Sequence, residues 1–125
     1  MIAKISATEN LGGALSYNFK KVEKGEANIL LTAELYQSKE GRYTMEDVLA
    51  DMEALIPKNC RTKKTVFHCS LNPHPDEKLS DERLTQIAKE YMEALGYGNQ
   101  PYIVFKHSDI AREHIHIVSL RIDGE

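Results

Sequence analysis

Two apolar segments near the carboxyl end of the chain place the strongest constraint on its fold. Segments 102–107 and 114–121 have the length and composition of β-strands, and only the polar stretch 108–113 separates them. So short a connection allows antiparallel pairing, whereas a parallel crossover needs about a dozen residues or more. The sequence therefore predicts an antiparallel hairpin in this part of the chain.

The rest of the chain alternates between strand and helix patterns. Thr44 and Ser80 are each followed by acidic residues and then by apolar residues at helical spacing, which is typical of a capped helix. Gly25, Pro57 and Gly96 are predicted to end helices. The predicted elements before the hairpin are a strand at 2–7, a helix at 12–24, a strand at 29–35, a helix at 45–56, a strand at 65–71 and a helix at 81–95.

Each predicted helix carries apolar residues at helical spacing that should face a core. The first set is Leu15, Phe19 and Val22; the second is Met45, Val48, Leu49, Met52, Leu55 and Ile56; the third is Leu84, Ile87, Ala88, Tyr91 and Leu95. We therefore expect an α+β fold in which helices cover an antiparallel β-sheet as a two-layer sandwich. The two capped helices are expected on one face of that sheet.

Composition limits the class of protein. A length of 125 residues predicts a single domain over residues 1–125. The 16 Lys and Arg against 19 Asp and Glu give a net charge of -3, which argues against a simple nucleic-acid clamp and requires any polyanion site to be local. No stretch approaches the ~18 consecutive apolar residues of a membrane span. The two cysteines, Cys60 and Cys69, are predicted to be small core residues of a reduced, cytoplasmic protein.

Three of the five histidines fall within ten residues, at His107, His114 and His116. Residues two apart on a strand point to the same side, so His114 and His116 share one face. If the hairpin pairs His107 with His114, the three imidazoles converge, because directly opposed residues have Cβ atoms only ~5 Å apart. Three neutral imidazoles hold a divalent cation and leave positions open for substrate, which predicts a catalytic metal site. Asp109 and Glu113 are predicted to accept hydrogen bonds from these imidazoles.

The histidines also have simpler interpretations. His114 and His116 alone are most easily explained as an incidental pair, and it is His107 across the hairpin that favours a metal site. His68 either shares the face of this site or is a packed core histidine, and both interpretations stay open. His74 lies between two prolines and is expected on the surface.

Tyr17 lies on the first predicted helix, about 200° around the axis from Leu15 and so off the apolar stripe. Lys20, Lys21 and Lys24 follow three, four and seven positions later, so Tyr17 begins a basic face that suits a phosphate backbone. The alternative is an ordinary solvated lysine face. Combined with the histidines, Tyr17 indicates a hydroxyl nucleophile for a phosphodiester, with a cation neutralising the non-bridging oxygens.

These motifs together resemble the relaxase or mobilisation nucleases of the HUH endonuclease superfamily. Segment 107–116, HSDIAREHIH, is similar to the family's three-histidine motif, and segment 12–17, GGALSY, is similar to its nucleophile motif. Segment 68–77, HCSLNPHPDE, resembles the motif that lies between them. The three similarities occur in the family's order and cover most of the chain.

The resemblance implies an HUH-endonuclease-like domain that nicks single-stranded plasmid or integrative-element DNA at an origin of transfer. Tyr17 would attack the scissile phosphate, giving a 5′-phosphotyrosyl intermediate and a free 3′-hydroxyl. His107, His114 and His116 would hold Mg2+ or Mn2+, as in the family, although donor softness alone favours Zn2+ for three imidazoles. The DNA backbone would contact basic residues of two segments, Lys20, Lys21, Lys24, Arg61, Lys63 and Lys64.

The resemblance also implies partners for the protein and indicates how much of a relaxase domain the chain contains. It implies relaxosome accessory and coupling proteins as partners, and no membrane. Relaxase domains normally continue past the histidine strand, so the chain is expected to be the N-terminal part of a catalytic domain truncated at Glu125.

Three other functions compete with a relaxase. A replication initiator of the same superfamily would use the same tyrosine and histidine chemistry at a replication origin, but the glycine pair and the motif order favour the relaxase. A cupin-like metal-binding barrel needs many more strands and few long helices. A non-catalytic accessory domain that binds metal or DNA would use its histidines only for structure.

Overall fold

The structure is a computed structural model that describes residues 2–8, 10–35, 43–56, 65–74, 77–108 and 113–121. Within those residues it contains five strands and three helices. In chain order they are β1 (Ile2–Thr8), α1 (Leu11–Glu23), β2 (Ala27–Ala33), α2 (Met45–Ala54), β3 (Val66–Asn72), α3 (Asp81–Ala94), β4 (Tyr102–His107) and β5 (His114–Leu120). Among the described helices, none combines the length and the apolar character needed to cross a bilayer.

The strands form one antiparallel sheet in the order β1-β3-β5-β4-β2. The predicted hairpin is confirmed, since β4 and β5 pair antiparallel with His107 opposite His114 and Phe105 opposite His116. The predicted α+β class, an antiparallel sheet covered by helices, is also confirmed. Strands β3, β5 and β4 are central, so side chains near the histidines sit on the most completely paired part of the sheet.

Helix ends follow the local signals in the sequence. The side-chain oxygens of Thr44 and Ser80 accept hydrogen bonds from backbone N–H groups three residues later, at 3.2 and 3.1 Å, as expected of N-caps. Gly25 and Gly96 follow α1 and α3 with φ of 76° and 85°, which is the left-handed conformation that glycine adopts without strain. The cap of α1 was missed: it is Asn10, whose Oδ1 accepts a 2.8 Å hydrogen bond from the N–H of residue 13.

The sheet is covered on both faces. Helices α1 and α2 pack on one face, here called the α1–α2 face, with Leu11, Leu15, Phe19, Val48, Met52, Val66, Ile103, Phe105, Val118 and Leu120 in its core. Helix α3 packs on the other, the α3 face, with Phe67, Cys69, Leu71, Leu84, Ala88, Met92, Tyr102, Val104, Ile115 and Ile117. The prediction that the two capped helices share one face is therefore wrong. Neighbouring residues of the central strands are apolar on both sides, so strand alternation does not determine which helix covers which side.

Two predicted core residues are exposed. Leu55 and Leu95 are 48% and 39% exposed, because each is the C-cap residue just past the last turn of its helix. The apolar spacing thus continues one residue past the end of each helix. Met92, which was not predicted to be in the core, is fully buried. Strand β2 begins and ends two residues earlier than predicted and has an irregular register between Ile29 and Leu31. Pro57 and Cys60 lie outside the described residues.

Candidate metal centre

The hairpin of β4 and β5 brings three histidines together on the α1–α2 face. The rings of His107 and His116 stack with centroids 4.0 Å apart and planes inclined by 22°. The centroid of His114 lies 5.2 Å from that of His107 and 5.0 Å from that of His116. The register explains this convergence, because His107 faces His114 directly and His116 is two residues further along the same face.

This trio has the donor set of a metal site. One ring nitrogen from each of His107, His114 and His116 can be chosen so that all three atoms lie within 4.8 Å of one another. Imidazole nitrogens are good ligands for divalent transition cations, and three protein ligands leave coordination positions for water or substrate. The residues therefore fit a catalytic rather than a closed structural metal site.

A buried amide holds His107 from the side of α1. His107 and Asn18 are both fully buried, and Oδ1 of Asn18 lies 2.7 Å from Nε2 of His107. The Nδ2 of Asn18 donates a second hydrogen bond, 2.8 Å long, to the carbonyl oxygen of Ala14 one turn earlier. Helix α1 is thereby joined to the first histidine of the site by a hydrogen bond that water does not reach.

His68 extends the cluster onto β3. Its Nε2 lies 3.0 Å from Nδ1 of His116, and the two ring centroids are 5.2 Å apart. Burial lowers the pKa of His68 below its usual value, because desolvation disfavours the imidazolium. Of the two interpretations left open by the sequence, the structure places His68 on the face of the site. The expected surface position of His74 agrees with its exposure.

Tyr17 stands at the open rim of the cluster. Its ring centroid lies 5.9 Å from that of His107 and 6.1 Å from that of His116, and the side chain is 48% exposed. The ammonium of Lys21 lies 5.5 Å from the ring centroid, within the range of a cation–π contact. A half-exposed phenol ring is thus carried beside two of the three imidazoles and next to a positive charge.

The remaining basic candidates lie elsewhere or outside the described residues. Lys20 lines a separate cavity of about 470 Å³ between α1 and the start of α2, together with Tyr43 and Glu46. Lys24 is the exposed C-cap residue of α1. The residues predicted to contact DNA from the other basic segment, Arg61, Lys63 and Lys64, lie outside the described residues, as does Asp109.

Glu113 does not have the predicted partner. Its Oε2 lies 3.2 Å from Nζ of Lys106, which is also 2.6 Å from Oδ1 of Asp81 at the start of α3. The hydrogen bond to Asp81, with a further one to Glu113, raises the pKa of Lys106. Lys106 lies one residue before His107 on β4 and so points to the α3 face. The hydrogen bond that Glu113 was predicted to accept from an imidazole is therefore replaced by an ion pair on the opposite side of the sheet.

A small cavity adjoins the histidines on the side of β1. It has a volume of about 140 Å³ and is lined by Lys4, Ile5, Ser6, His68, Ser70 and His116. The sequence did not single out the β1 residues, because β1 reaches the site only through long-range pairing with β3.

Asn18 was also missed, although the sequence contained a signal for it. It occupies the position three residues after Leu15 and beside Phe19, inside the apolar stripe of α1. A polar residue in such a stripe must find a hydrogen-bond partner in the core. That requirement could have marked Asn18 as a residue that reaches a polar site.

A histidine cluster on an antiparallel sheet, with a tyrosine on the first helix beside it, defines a candidate metal-dependent phosphodiester site. Residues 17–125 match the family described as relaxase, MobA/VirD2-like, nuclease domain. The chain therefore belongs to the relaxase nuclease-domain family, whose members nick DNA, and the resemblance noted in the sequence is confirmed. Searches of curated proteins and of solved structures returned no match to this chain.

Proposed function

We propose that this chain is a relaxase that cuts single-stranded DNA at an origin of transfer, with Tyr17 as nucleophile. The observation that carries the proposal is the position of the exposed Tyr17 ring, 5.9 Å from His107 and 6.1 Å from His116 by ring centroids. Membership of the relaxase nuclease family supports DNA nicking in general. The geometry supports this tyrosine as the residue that performs it.

The reaction is a transesterification. The hydroxyl oxygen of Tyr17 forms a bond to the scissile phosphorus and gives up its proton, while the bond from phosphorus to the 3′ oxygen breaks and that oxygen takes a proton. The products are a 5′-phosphotyrosyl bond and a free 3′-hydroxyl, and attack by that hydroxyl reverses the step. Because one phosphodiester replaces another, the strand can be rejoined without an external energy source.

The protein residues around Tyr17 supply positioning and charge. His107, His114 and His116 would hold Mg2+ or Mn2+, and the bound cation would neutralise charge on the non-bridging phosphate oxygens. Lys21 adds positive charge beside the phenol ring. Lys20 near the end of α1 and Lys24, the C-cap residue of that helix, are proposed to contact the DNA backbone, where phosphate contacts give salt-dependent affinity.

The biological setting follows from the substrate. A relaxase that acts at an origin of transfer starts the conjugative mobilisation of a plasmid or integrative element. We propose single-stranded DNA as the direct partner, and relaxosome accessory and coupling proteins as partners of the whole assembly.

The test is the formation of a covalent protein–DNA adduct. The protein is incubated with Mn2+ and single-stranded oligonucleotides from the origin region of its own element, and a denaturing gel is used to detect a shifted band. Tyr17→Phe should abolish the band, because it removes only the attacking oxygen, and should leave DNA binding nearly intact. Tyr97→Phe is the matched control, since Tyr97 packs against Phe67 on the α3 face.

Two results would contradict the proposal. One is an adduct that persists in Tyr17→Phe. The other is the absence of any adduct with metal bound, both from this chain and from a longer one that contains it, which would support a non-catalytic accessory domain. An adduct formed only with replication-origin DNA would instead identify a replication initiator.

A further inference from the structure

We infer that Asn18 and His68 are positioning residues that determine which ring nitrogen of two histidines is available to a cation, Nδ1 of His107 and Nε2 of His116. The inference rests on the metal-binding part of the proposed function. It concerns two hydrogen bonds that flank the cluster from opposite sides, one from α1 and one from β3.

The orientation of the Asn18 amide is determined by its two partners. Its Nδ2 donates to the carbonyl oxygen of Ala14 at 2.8 Å, a group that only accepts, so Oδ1 is the atom that faces His107. An amide oxygen has no hydrogen to give, so the proton in the 2.7 Å contact belongs to Nε2 of His107. A neutral imidazole with its proton on Nε2 has its lone pair on Nδ1. His107 therefore offers Nδ1 to a cation.

Burial makes this assignment stable. Asn18 and His107 are both fully buried, so water does not substitute for either partner if the hydrogen bond is lost. The other tautomer of His107 would place an unprotonated nitrogen against the amide oxygen of Asn18, and a half-turn of the ring would place the carbon Cε1 there instead of Nε2. The protein thus selects one tautomer and one ring orientation at His107.

The opposite arrangement holds at His116. Its Nδ1 faces Nε2 of His68 at 3.0 Å, and one proton lies between the two nitrogens. If that proton is on His116, the lone pair of His116 is on Nε2, and a cation can bind there. If it is on His68, the neutral His116 ring carries its proton on Nε2 and offers no lone pair to a cation. Metal binding therefore requires His116 to donate and His68 to accept.

The pairing of strands places His68 where it can act in this way. Ser70 is directly opposite His116 in the β3–β5 register, and His68 lies two residues from Ser70 on the same face. Hydrogen-bond partners of metal-binding histidines typically change metal affinity by about 10–100-fold when they are removed. Losses in that range are expected at Asn18 and His68, although neither residue is assigned as a ligand.

The experiment measures Mn2+ affinity by titration calorimetry and ring protonation by long-range 1H–15N NMR of the histidines. His68→Leu should lower Mn2+ affinity by about 10–100-fold. His68→Gln should restore most of it, because its amide oxygen can accept from Nδ1 of His116. His74→Leu is the matched control for loss of a histidine outside the cluster, and it should leave the affinity unchanged. A purely structural role of His68 would not distinguish leucine from glutamine in this way.

Asn18 is tested in parallel. The unaltered protein should show the proton of His107 on Nε2, and addition of diamagnetic Zn2+ should shift Nδ1 of His107 and Nε2 of His116. Asn18→Leu should lower Mn2+ affinity by about 10–100-fold, whereas Asn18→Asp retains an acceptor oxygen and should keep the His107 proton on Nε2. If Asn18→Leu does not fold, the NMR spectrum of the unaltered protein still tests the role of Asn18, because it shows which nitrogen of His107 carries the proton.

The inference is overturned if His107 carries its proton on Nδ1, or if His68→Leu binds Mn2+ as tightly as the unaltered protein. None of these measurements needs DNA cleavage. Normal metal binding without adduct formation would refute the proposed nicking activity and leave the assignment of nitrogens standing. Conversely, the unaltered protein could form the adduct as proposed while His68→Leu binds Mn2+ with unchanged affinity. That combination of results would refute only the inference.

Discussion

The two faces of the sheet provide different partners for buried polar side chains at the end where β4 and β5 meet. On the α3 face, Lys106 is only 13% exposed and is neutralised by the carboxylates of Asp81 and Glu113. On the α1–α2 face, the adjacent residue His107 is fully buried and is held by the amide of Asn18. Consecutive residues of one strand therefore meet an ion pair on one side and a neutral hydrogen bond on the other.

The difference explains why one face is suited to binding a cation. A buried charge is costly unless it is paired, and the α3 face already pairs its charge. The α1–α2 face instead gathers three imidazoles whose ring nitrogens can serve as ligands for a cation. We therefore expect mutations on the α3 face to change stability alone, and mutations of the histidine cluster to change metal binding.

The largest change in stability is expected from the core of the α3 face. Leu84 is 1% exposed, and Leu84→Ala should lower the free energy of unfolding by about 2–5 kcal/mol through lost burial and the cavity that remains. Urea unfolding followed by circular dichroism measures this loss. Mn2+ affinity, measured on the folded fraction, should not change. A large drop in that affinity would show that the two faces are coupled.

Metal should stabilise the protein through the other face. At a Mn2+ concentration of about 100 times its Kd, the free energy of unfolding should rise by about 2.7 kcal/mol, because the folded state binds and the unfolded state does not. His114→Ala removes one of the proposed ligands and should lose nearly all of this gain, whereas His74→Ala should keep it. Equal stabilisation of both variants in thermal or urea unfolding would refute the metal site.

Smaller losses of stability are expected from the helix caps, one on each face of the sheet. Ser80→Ala on α3 and Thr44→Ala on α2 should each lower the free energy of unfolding by about 1 kcal/mol, since each removes one hydrogen bond to a backbone N–H. Denaturant midpoints of the two variants measure the losses. Neither variant should alter Mn2+ affinity. A much larger loss at one cap would mean that its helix carries more of the fold's stability.

The ion pair should matter least. Lys106→Met should lower the free energy of unfolding by about 0.2–1 kcal/mol, and less at high salt, because both carboxylates are half-exposed to solvent. Its hydrogen bond to Asp81 raises the pKa of Lys106 above the ordinary value of 10.5. The stabilisation is therefore fully present below that ordinary value and is lost as pH rises through the raised one. Unfolding curves at neutral and at strongly alkaline pH test the sign, and a difference that grows in alkali would contradict it.

Local signals in the sequence predicted much of the fold. The caps at Thr44 and Ser80, the glycines at 25 and 96 and the β4–β5 hairpin depend on residues a few positions apart, and all were predicted. The prediction that Leu55 is buried was wrong, because apolar periodicity does not show where a helix ends.

Long-range pairing accounts for what the sequence left undecided. The face covered by α3 was mispredicted, because the central strands are apolar on both sides. Glu113 was assigned to the histidines on proximity in sequence, yet it pairs with Lys106 and so with the start of α3. His68 could not be assigned, because its contact with His116 depends on the pairing of β3 with β5.

The sequence by itself determined that three histidines converge and that Tyr17 lies off the apolar stripe of its helix. Both conclusions need only the periods of a strand and a helix and one short hairpin. The tertiary structure alone decided that Tyr17 lies beside His107 and that Asn18 holds that ring. These contacts join residues about ninety positions apart, and they exist because the buried stripe of α1 docks on the sheet at the end that carries the histidines.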